Sequence, residues 1–297
     1  MNIKSLPIPR GLIRSLLRRM PWIPDRMYLS MVYPLETGKM MDWKNPKDFT
    51  QKLQVLKLRA KLDYEHLSLF QDKARVKDFV KERIGSEYVI PTYGVWDKAE
   101  DIDFDSLPDK FVIKPTHGGG GKGVVVCKDK SALDREKVRK IQEKYSKRIL
   151  WKRYREYAYK GIQPRIIAEL LLEDSQTPDH LEDFKFFCFN GKCEFFKINF
   201  VTDRHHANYY TTDFKLLEIE EVIWPRDPNI DIPRPKNLEL MVELAEKLSV
   251  GFPFVRVDFY NIDGKIYFGE FAFYPSSGFD NYAPEWADEW IGSHIQP

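Results

Sequence analysis

Three observations place this chain in the α+β class. Helical periodicity fills the first third, a glycine-rich turn joins two short apolar strands in the middle, and two hairpins with well-placed turn residues occupy the last third. From Asp48 to about Ile84 the apolar residues recur at helical spacing, first Phe49, Leu53, Leu56 and Leu58, then Val76, Phe79, Val80 and Ile84. Gly85 ends the second of these helices, and Tyr88 to Pro91 starts an extended segment. Phe111–Ile113 and Val124–Cys127 flank the glycine turn as a hairpin-like unit. Helix returns over roughly Leu133–Tyr154, and Arg165–Glu169 reads as a buried strand running into Leu170–Leu172. Phe184–Phe189 and Cys193–Phe200 are separated by Asn190-Gly191, a strong short-range hairpin signal. A polar connection is expected around His205–Asp213, then a helix over Leu238–Leu248 closed by Gly251. Phe254–Tyr260 and Lys265–Phe273 flank the turn Asn261–Gly264, giving an antiparallel sheet in the last third.

Composition sets the outer limits. The 297 residues are 43% apolar and 31% charged, enough for a core and a solvated surface over two or three lobes around a cleft. A net charge of +2 supplies no field that would select nucleic acid, so none is expected as a partner. Cys127, Cys188 and Cys193 sit in strand-like stretches without metal-ligand spacing and read as buried thiols of a reducing compartment. No apolar run approaches the ~20 residues of a membrane helix. Arginines break up the apolar N-terminus, so a signal-peptide core is absent and a cytoplasmic location is expected. The stretch Arg10–Met20 forms a short basic helix with one apolar face. It either packs on the body of the protein or gives a peripheral seat on the inner membrane face or on a polysaccharide-assembly partner.

Two groups of residues carry chemistry. In Lys114-Pro-Thr-His117-Gly118-Gly119-Gly120-Gly121-Lys122-Gly123, the glycines let backbone N–H groups approach an anion, and Lys114 and Lys122 bring cations to a polyphosphate. Neither a Walker loop nor a dinucleotide fingerprint is present, because a strand follows and Lys122 precedes a glycine. The plainer alternative is a floppy surface hairpin. The second group is Asp258 and Glu270, on adjacent antiparallel strands with Arg256 sharing the Asp258 face. Two carboxylates together in apolar strands require a cation, for which Mg²⁺ is the natural choice, or pairing with Arg256.

Lys114 on a strand, the Gly-Gly-Lys-Gly loop, a later strand ending in Glu169, then Arg256-x-Asp258 and Glu270 together resemble the ATP-grasp superfamily. Its TupA-like branch, which serves teichuronopeptide and polysaccharide biosynthesis, is resembled more specifically. That likeness rests on Asp72-Lys73, Ile90-Pro91, Phe104–Phe111, Pro164–Glu169, Asp183–Gly191, Gly251–Tyr260 and Gly269-Glu270, spread from about Pro46 to Gly278. The resemblance implies an ATP-grasp fold, two α+β lobes clasping ATP behind a mainly helical N-terminal region. The expected divisions are residues 1–72 for that region, 73–180 for the small lobe with the phosphate loop, and 181–297 for the large lobe with the metal site. It also implies roles. Lys73 and Lys114 would contact ATP, with His117 and Gly118–Gly123 at the phosphates. The strand ending at Glu169 would lead to an adenine hinge at Leu170, Leu171 and Leu172. Asp183 and Lys185 would sit near ribose or phosphates, Arg256 would steady the transferred phosphoryl group, and Asp258 and Glu270 would hold Mg²⁺.

One position departs from the superfamily pattern: Ala272 stands where many members place a metal-binding Asn, which implies either one well-held metal rather than two or a substituted ligand such as Asn281. Arg204 and His205, in the polar segment from Asp203, are candidates for gripping a carboxylate and receiving a proton. The activity implied is carboxylate–amine ligation through an acyl phosphate, on a small molecule or glycan precursor such as a uronic acid. Phosphotransfer to a saccharide hydroxyl and a non-catalytic nucleotide- or glycan-binding role are the alternatives.

Overall fold

A computed structural model of the chain describes residues 10–18, 20, 22–174, 181–202 and 204–296. Its helical front comprises α1 (Arg10–Arg18), α2 (Asp25–Thr37), α3 (Phe49–Arg59), α4 (Tyr64–Gln71) and α5 (Val76–Ile84). Of the basic N-terminal stretch, Arg19 and residues before Arg10 lie outside the described part, as does Asp203 of the polar segment. The helix α1 packs on the body through Leu17 and Ile13, against Tyr28, Leu29 and Val32 of α2. Leu12 and Leu16 remain 63% and 62% exposed, so packing uses only part of its apolar face.

Two antiparallel sheets follow. The first combines β1 (Thr92–Trp96), β2 (Phe111–Pro115), β3 (Val125–Cys127) and β4 (Ile166–Leu170) in the order β1-β4-β2-β3. The helix α6 (Arg135–Ser146) covers it, with Val138 meeting Phe111, Ile113 and Ala168, and α7 (Trp151–Tyr154) leads out. The second sheet combines β5 (Asp183–Phe189), β6 (Lys192–Val201), β7 (His205–Thr211), β9 (Val255–Ile262) and β10 (Lys265–Ala272), in the order β10-β9-β5-β6-β7. A short pair, β8 (Glu220–Glu221) and β11 (Tyr282–Ala283), lies beside it.

Strand alternation divides the second sheet into two faces. One carries Phe184, Phe186, Phe196, Ile198, Val257 and Phe259 and receives α8 (Leu238–Ser249) through Met241, Leu244 and Leu248. At one end of the other face, Phe187, Phe195 and Tyr209 meet Phe49 and Leu53 of α3 and Ile291 of α9 (Ala287–Ser293). The remainder of that face is polar. All three cysteines are buried free thiols, as their settings in apolar strands suggested.

The polar connection expected at His205–Asp213 is instead mostly strand β7, a correction with a clear cause. Its polar side chains are satisfied within the sheet edge: the His206 ring lies flat on Phe200, 5.4 Å between centroids, and the Asn208 amide donates to the Asp227 carbonyl at 2.8 Å. A polar strand whose partners are supplied looks like a loop to a hydropathy pattern.

Candidate active site

The register of the second sheet sets a row of ionisable groups side by side. Glu270 on β10 opposes Asp258 on β9, which opposes Lys185 on β5, which opposes Lys197 on β6, which opposes Tyr209 on β7. Directly opposed residues share a face, so all five side chains leave the sheet on the same side. Glu270 reaches that side only through a β-bulge. Phe268 opposes Phe259, but the next partners are Glu270 and Asp258, with Gly269 as the extra residue. Without the slip, Glu270 would oppose Val257 and point into the core under α8. A Cβ on Gly269 would stand 3.1 Å from the Asp258 carbonyl oxygen, so the bulge is tight as well as necessary.

The charges of this row are knitted together. Arg256 grips Asp258 with both arms, Nε to Oδ1 and Nη2 to Oδ2, each at 2.7 Å. Lys185 donates to Asp258 Oδ2 at 2.8 Å and to Asp183. Burial alone would raise the Asp258 carboxyl, but Arg256 and Lys185 outweigh it and hold it well below the usual range. Asp183, whose burial dominates, is pushed up. Lys73 donates to Glu270 Oε2 at 2.7 Å, and its attraction overcomes burial to keep that carboxyl low.

The first sheet contributes a second ionic knot. Glu169 on β4 is buried and receives both Lys114 from β2 and Lys77 from α5. Burial disfavours its charge, yet Lys114 and then Lys77 prevail and lower its pKa. Lys77 also donates to the Ile90 carbonyl at 2.7 Å and to Thr92 Oγ1 at 2.6 Å. Lys73 links the two knots: its backbone N–H donates to the Thr116 carbonyl at 2.9 Å, beside the glycine loop, while its ammonium holds Glu270 in the other sheet. Between the sheets lies a small apolar cluster of Ile90, Leu172, Ile262 and Tyr267, with Leu170, Leu181 and Tyr260 packed against it. Leu170 still pairs with Phe111, and beyond it the chain leaves the ladder at Leu171 and Leu172.

The loop from Gly119 to Lys122 is exposed, and Gly120 and Gly121 take positive φ of 62° and 69° with open space where a Cβ would be. His117 is buried beneath it, which lowers its pKa, and its Nδ1 has no hydrogen-bond partner. Arg204 and His205 are exposed at the outer end of β7, where His205 packs on Trp224 at 4.6 Å between ring centroids. Among their described contacts none joins them to the Arg256–Asp258–Glu270 group. The Asn281 amide is turned toward the Glu36 carbonyl at the end of α2, at 3.5 Å.

A hard divalent cation fits the Asp258–Glu270 pair in part. Both carboxylates offer oxygen donors across one register step, and the small Ala272 stands opposite Arg256 on the same face. Among the described residues no group of three or more acidic, histidine or cysteine ligands forms a complete metal site. Two protein carboxylates suit Mg²⁺ completed by phosphate oxygens and water, a common arrangement for this ion.

Sequence reading missed Lys77, Lys197, Glu221 and Asp280. Lys197 had a usable signal, as an isolated cation between Phe196 and Ile198 in an apolar strand. The others had none beyond residue type.

A family model described as TupA-like ATPgrasp matches residues 51–296. Among solved structures, N5-carboxyaminoimidazole synthetase from Staphylococcus aureus, complexed with ADP, aligns at 18% identity over 69% of this chain and 44% of that one, TM-score 0.41. D-alanine–D-alanine ligase from Bacillus anthracis aligns at 18% identity over 69% and 58%, TM-score 0.40. An ADP complex of N5-carboxyaminoimidazole ribonucleotide synthetase aligns at 18% identity over 78% and 52%, TM-score 0.44. The chain spans about half the length of these solved structures. No curated protein matches the sequence.

Proposed function

Because the chain belongs to the TupA-like ATP-grasp family, we propose that it is an ATP- and Mg²⁺-dependent carboxylate–amine ligase. Its substrates would be a uronic-acid carboxyl of a surface-glycan precursor and an amino acid or other amine. The observation that carries the reading is the Lys73 bridge. One residue ties the glycine-loop sheet, where Lys114 pairs with Glu169, to the carboxylate sheet, where Arg256 holds Asp258 beside Glu270. That link suits a polyphosphate laid between the sheets, with the adenine against Leu170–Leu172, Ile262 and Tyr267.

Mg²⁺ bound by Asp258, Glu270 and the phosphates would neutralise the charge developing on the transferred group. The chain's own residues do the rest. Lys114 and Lys73 hold phosphate oxygens, the Gly118–Gly123 backbone covers them, and Arg256, fixed by Asp258, faces the acyl phosphate. Positioning and electrostatic stabilisation of this kind account for most of the rate in phosphoryl transfer. One observation favours a non-catalytic nucleotide- or glycan-binding role instead: Arg256, Lys185 and Lys73 already neutralise the two carboxylates. A cytoplasmic location, with the exposed Leu12 and Leu16 of α1 meeting a membrane or an assembly partner, belongs to the same proposal.

The test is product analysis. Incubation with ATP, Mg²⁺, uronic-acid nucleotides and amino acids is expected to yield an amide, ADP and phosphate in equal amounts. A stable phosphate ester would establish phosphotransfer, and ATP binding without turnover on any pair would establish the non-catalytic role. Metal and nucleotide are expected to depend on one another. Mn²⁺, followed by its effect on water relaxation, should bind at least about tenfold more tightly with ADP present, as two carboxylates alone supply too few ligands. Equal affinity with and without ADP would refute the shared site.

Gly269→Val is expected to cost about 1–3 kcal/mol of stability by crowding the Asp258 carbonyl, and to reduce turnover by more than the fraction unfolded. Urea unfolding beside a turnover assay checks this, and a variant with full turnover would remove the bulge from the mechanism.

A further inference from the structure

Past Arg256 the site face of the second sheet continues into a second cluster of charge. Lys197, next to Lys185 in the cross-strand row, donates to Glu221 of β8, which also accepts from the Tyr209 hydroxyl. Asp280 stands against Glu221 and Lys197, only 3% exposed; the Ser276 side chain and the Asn281 backbone N–H lie close to its carboxylate, but neither oxygen has a partner at hydrogen-bond geometry. Two residues along the same face from Lys197, the Asn199 Oδ1 is likewise buried without a partner. Buried polar atoms are nearly always satisfied, and a carboxylate left bare is among the costlier exceptions.

The backbone that delivers Asp280 is costly too. Ser276, Ser277 and Gly278 take three successive left-handed conformations, with φ of 47°, 56° and 67°. From α3, Gln54 donates to the Gly278 carbonyl at 2.5 Å and Lys57 to the Ser277 carbonyl, while Ser277 Oγ donates to Glu156 at 2.7 Å. Such a turn persists only where its surroundings over-determine it, and these contacts do so. The strained turn begins four residues after Ala272, the last residue of the strand that carries Glu270, so it links the carboxylate pair to Asp280 directly.

The unfilled atoms are acceptors, and Lys197 is committed to Glu221. What the cluster lacks is a donor that carries positive charge. We propose that Asp280 binds the ammonium group of the amine substrate and takes a proton from it, an assignment that rests on the ligase reading above. The step balances. A substrate carboxylate oxygen bonds to the γ-phosphorus of ATP and ADP departs. The ammonium gives one proton to Asp280, and the freed nitrogen lone pair forms the C–N bond at the acyl carbon. The C–O bond to phosphate then breaks, and phosphate leaves with that electron pair and the second proton from nitrogen. Geometry is the basis, and acidity agrees: burial, with Glu221 adding and Lys197, Ser276 and the Asn281 backbone opposing, pushes Asp280 up to about 7. Tyr209 and Tyr282 are the remaining titratable groups around it, and burial holds both hydroxyls protonated. An acceptor of that strength is matched to proton transfer near neutral pH.

The test uses the full chain with ADP and Mg²⁺, titrated calorimetrically with L-alanine, L-glutamate, L-lysine and ethanolamine. Wild type is expected to bind at least one of these amines, and D280N to bind it at least tenfold more weakly with ADP affinity within twofold. Unchanged amine binding in D280N, or no binding of any of the four by a wild type that binds ADP, overturns the subsite. Failure to bind ADP counts instead against the ligase reading. A ligand-free readout separates this role from a structural one. D280N is expected to raise the melting temperature at pH 8, where the bare carboxylate is charged, with the gain shrinking toward pH 4. A lower melting temperature at both pH values overturns the proposal. Should D280N fail to fold, D280A is carried through the same titrations.

Discussion

Glu270→Gln is expected to lower ATP turnover by about a hundred- to a thousandfold, the usual scale for removing one preorganised electrostatic contact, while leaving the fold intact. The substitution keeps the size of the side chain and an oxygen that still accepts from Lys73. Only the anionic charge opposite Asp258 disappears. Glu270 is partly open to solvent, its side chain 42% exposed, so its pairing with Lys73 is worth at most about 1 kcal/mol to stability. Asp258 keeps both Arg256 and Lys185 and is not stranded. Turnover at saturating Mg²⁺, measured beside a urea melt, decides the matter. A Glu270→Gln protein with wild-type turnover would sink the metal assignment, and a protein that fails to fold would show that Glu270 is structural. Lys114→Met gives an independent check from the other sheet. It is expected to weaken turnover comparably, because Glu169 retains Lys77 and the sheet keeps its ion pair.

The turn Asn261–Gly264 and the apolar runs beside it were legible in the sequence, and so was the Arg256–Asp258 face. Glu270 opposes Asp258 only because Gly269 inserts one extra residue; an even count outward from the turn sets Glu270 against Val257. A glycine inside a strand is a known bulge signal, yet period-two counting cannot say where a slip falls. Lys77 was invisible for a different reason. Its partner Glu169 is 92 positions away, and the pairing exists only once α5 packs against the first sheet. Ser276 and Ser277 defeat sequence reading most thoroughly. Serine gives no hint of left-handed backbone, and the contacts from α3 that impose it are tertiary. Motifs carried by a local run of backbone, such as the glycine loop, are legible. Sites assembled across elements are not.

Glu169→Leu carries the other large expected effect, a loss of about 3–5 kcal/mol, the range for removing one member of a buried ion pair. Two ammonium groups converge on this buried carboxylate. Their fates would differ. Lys77 keeps the Ile90 carbonyl and Thr92 Oγ1, so it remains hydrogen-bonded but loses its counter-charge. Lys114 loses its ion-pair partner and with it the contact that fixes its direction. The pH dependence follows from the direction of the Glu169 shift. Its folded pKa is lowered, so its contribution is fully present above the unfolded value of about 4.3 and is lost as pH falls through the lower folded value. A Glu169→Gln protein should therefore lie closest to wild type at pH 3 and furthest from it at pH 7, as urea midpoints at the two values would show. Nucleotide affinity then separates two roles for the same residue. If Glu169 serves only to hold the first sheet on α5, the fraction of Glu169→Gln that remains folded binds ATP as wild type does. If it also sets the direction of Lys114, that folded fraction binds ATP more weakly, and Lys77→Met, which leaves Lys114 paired, does not.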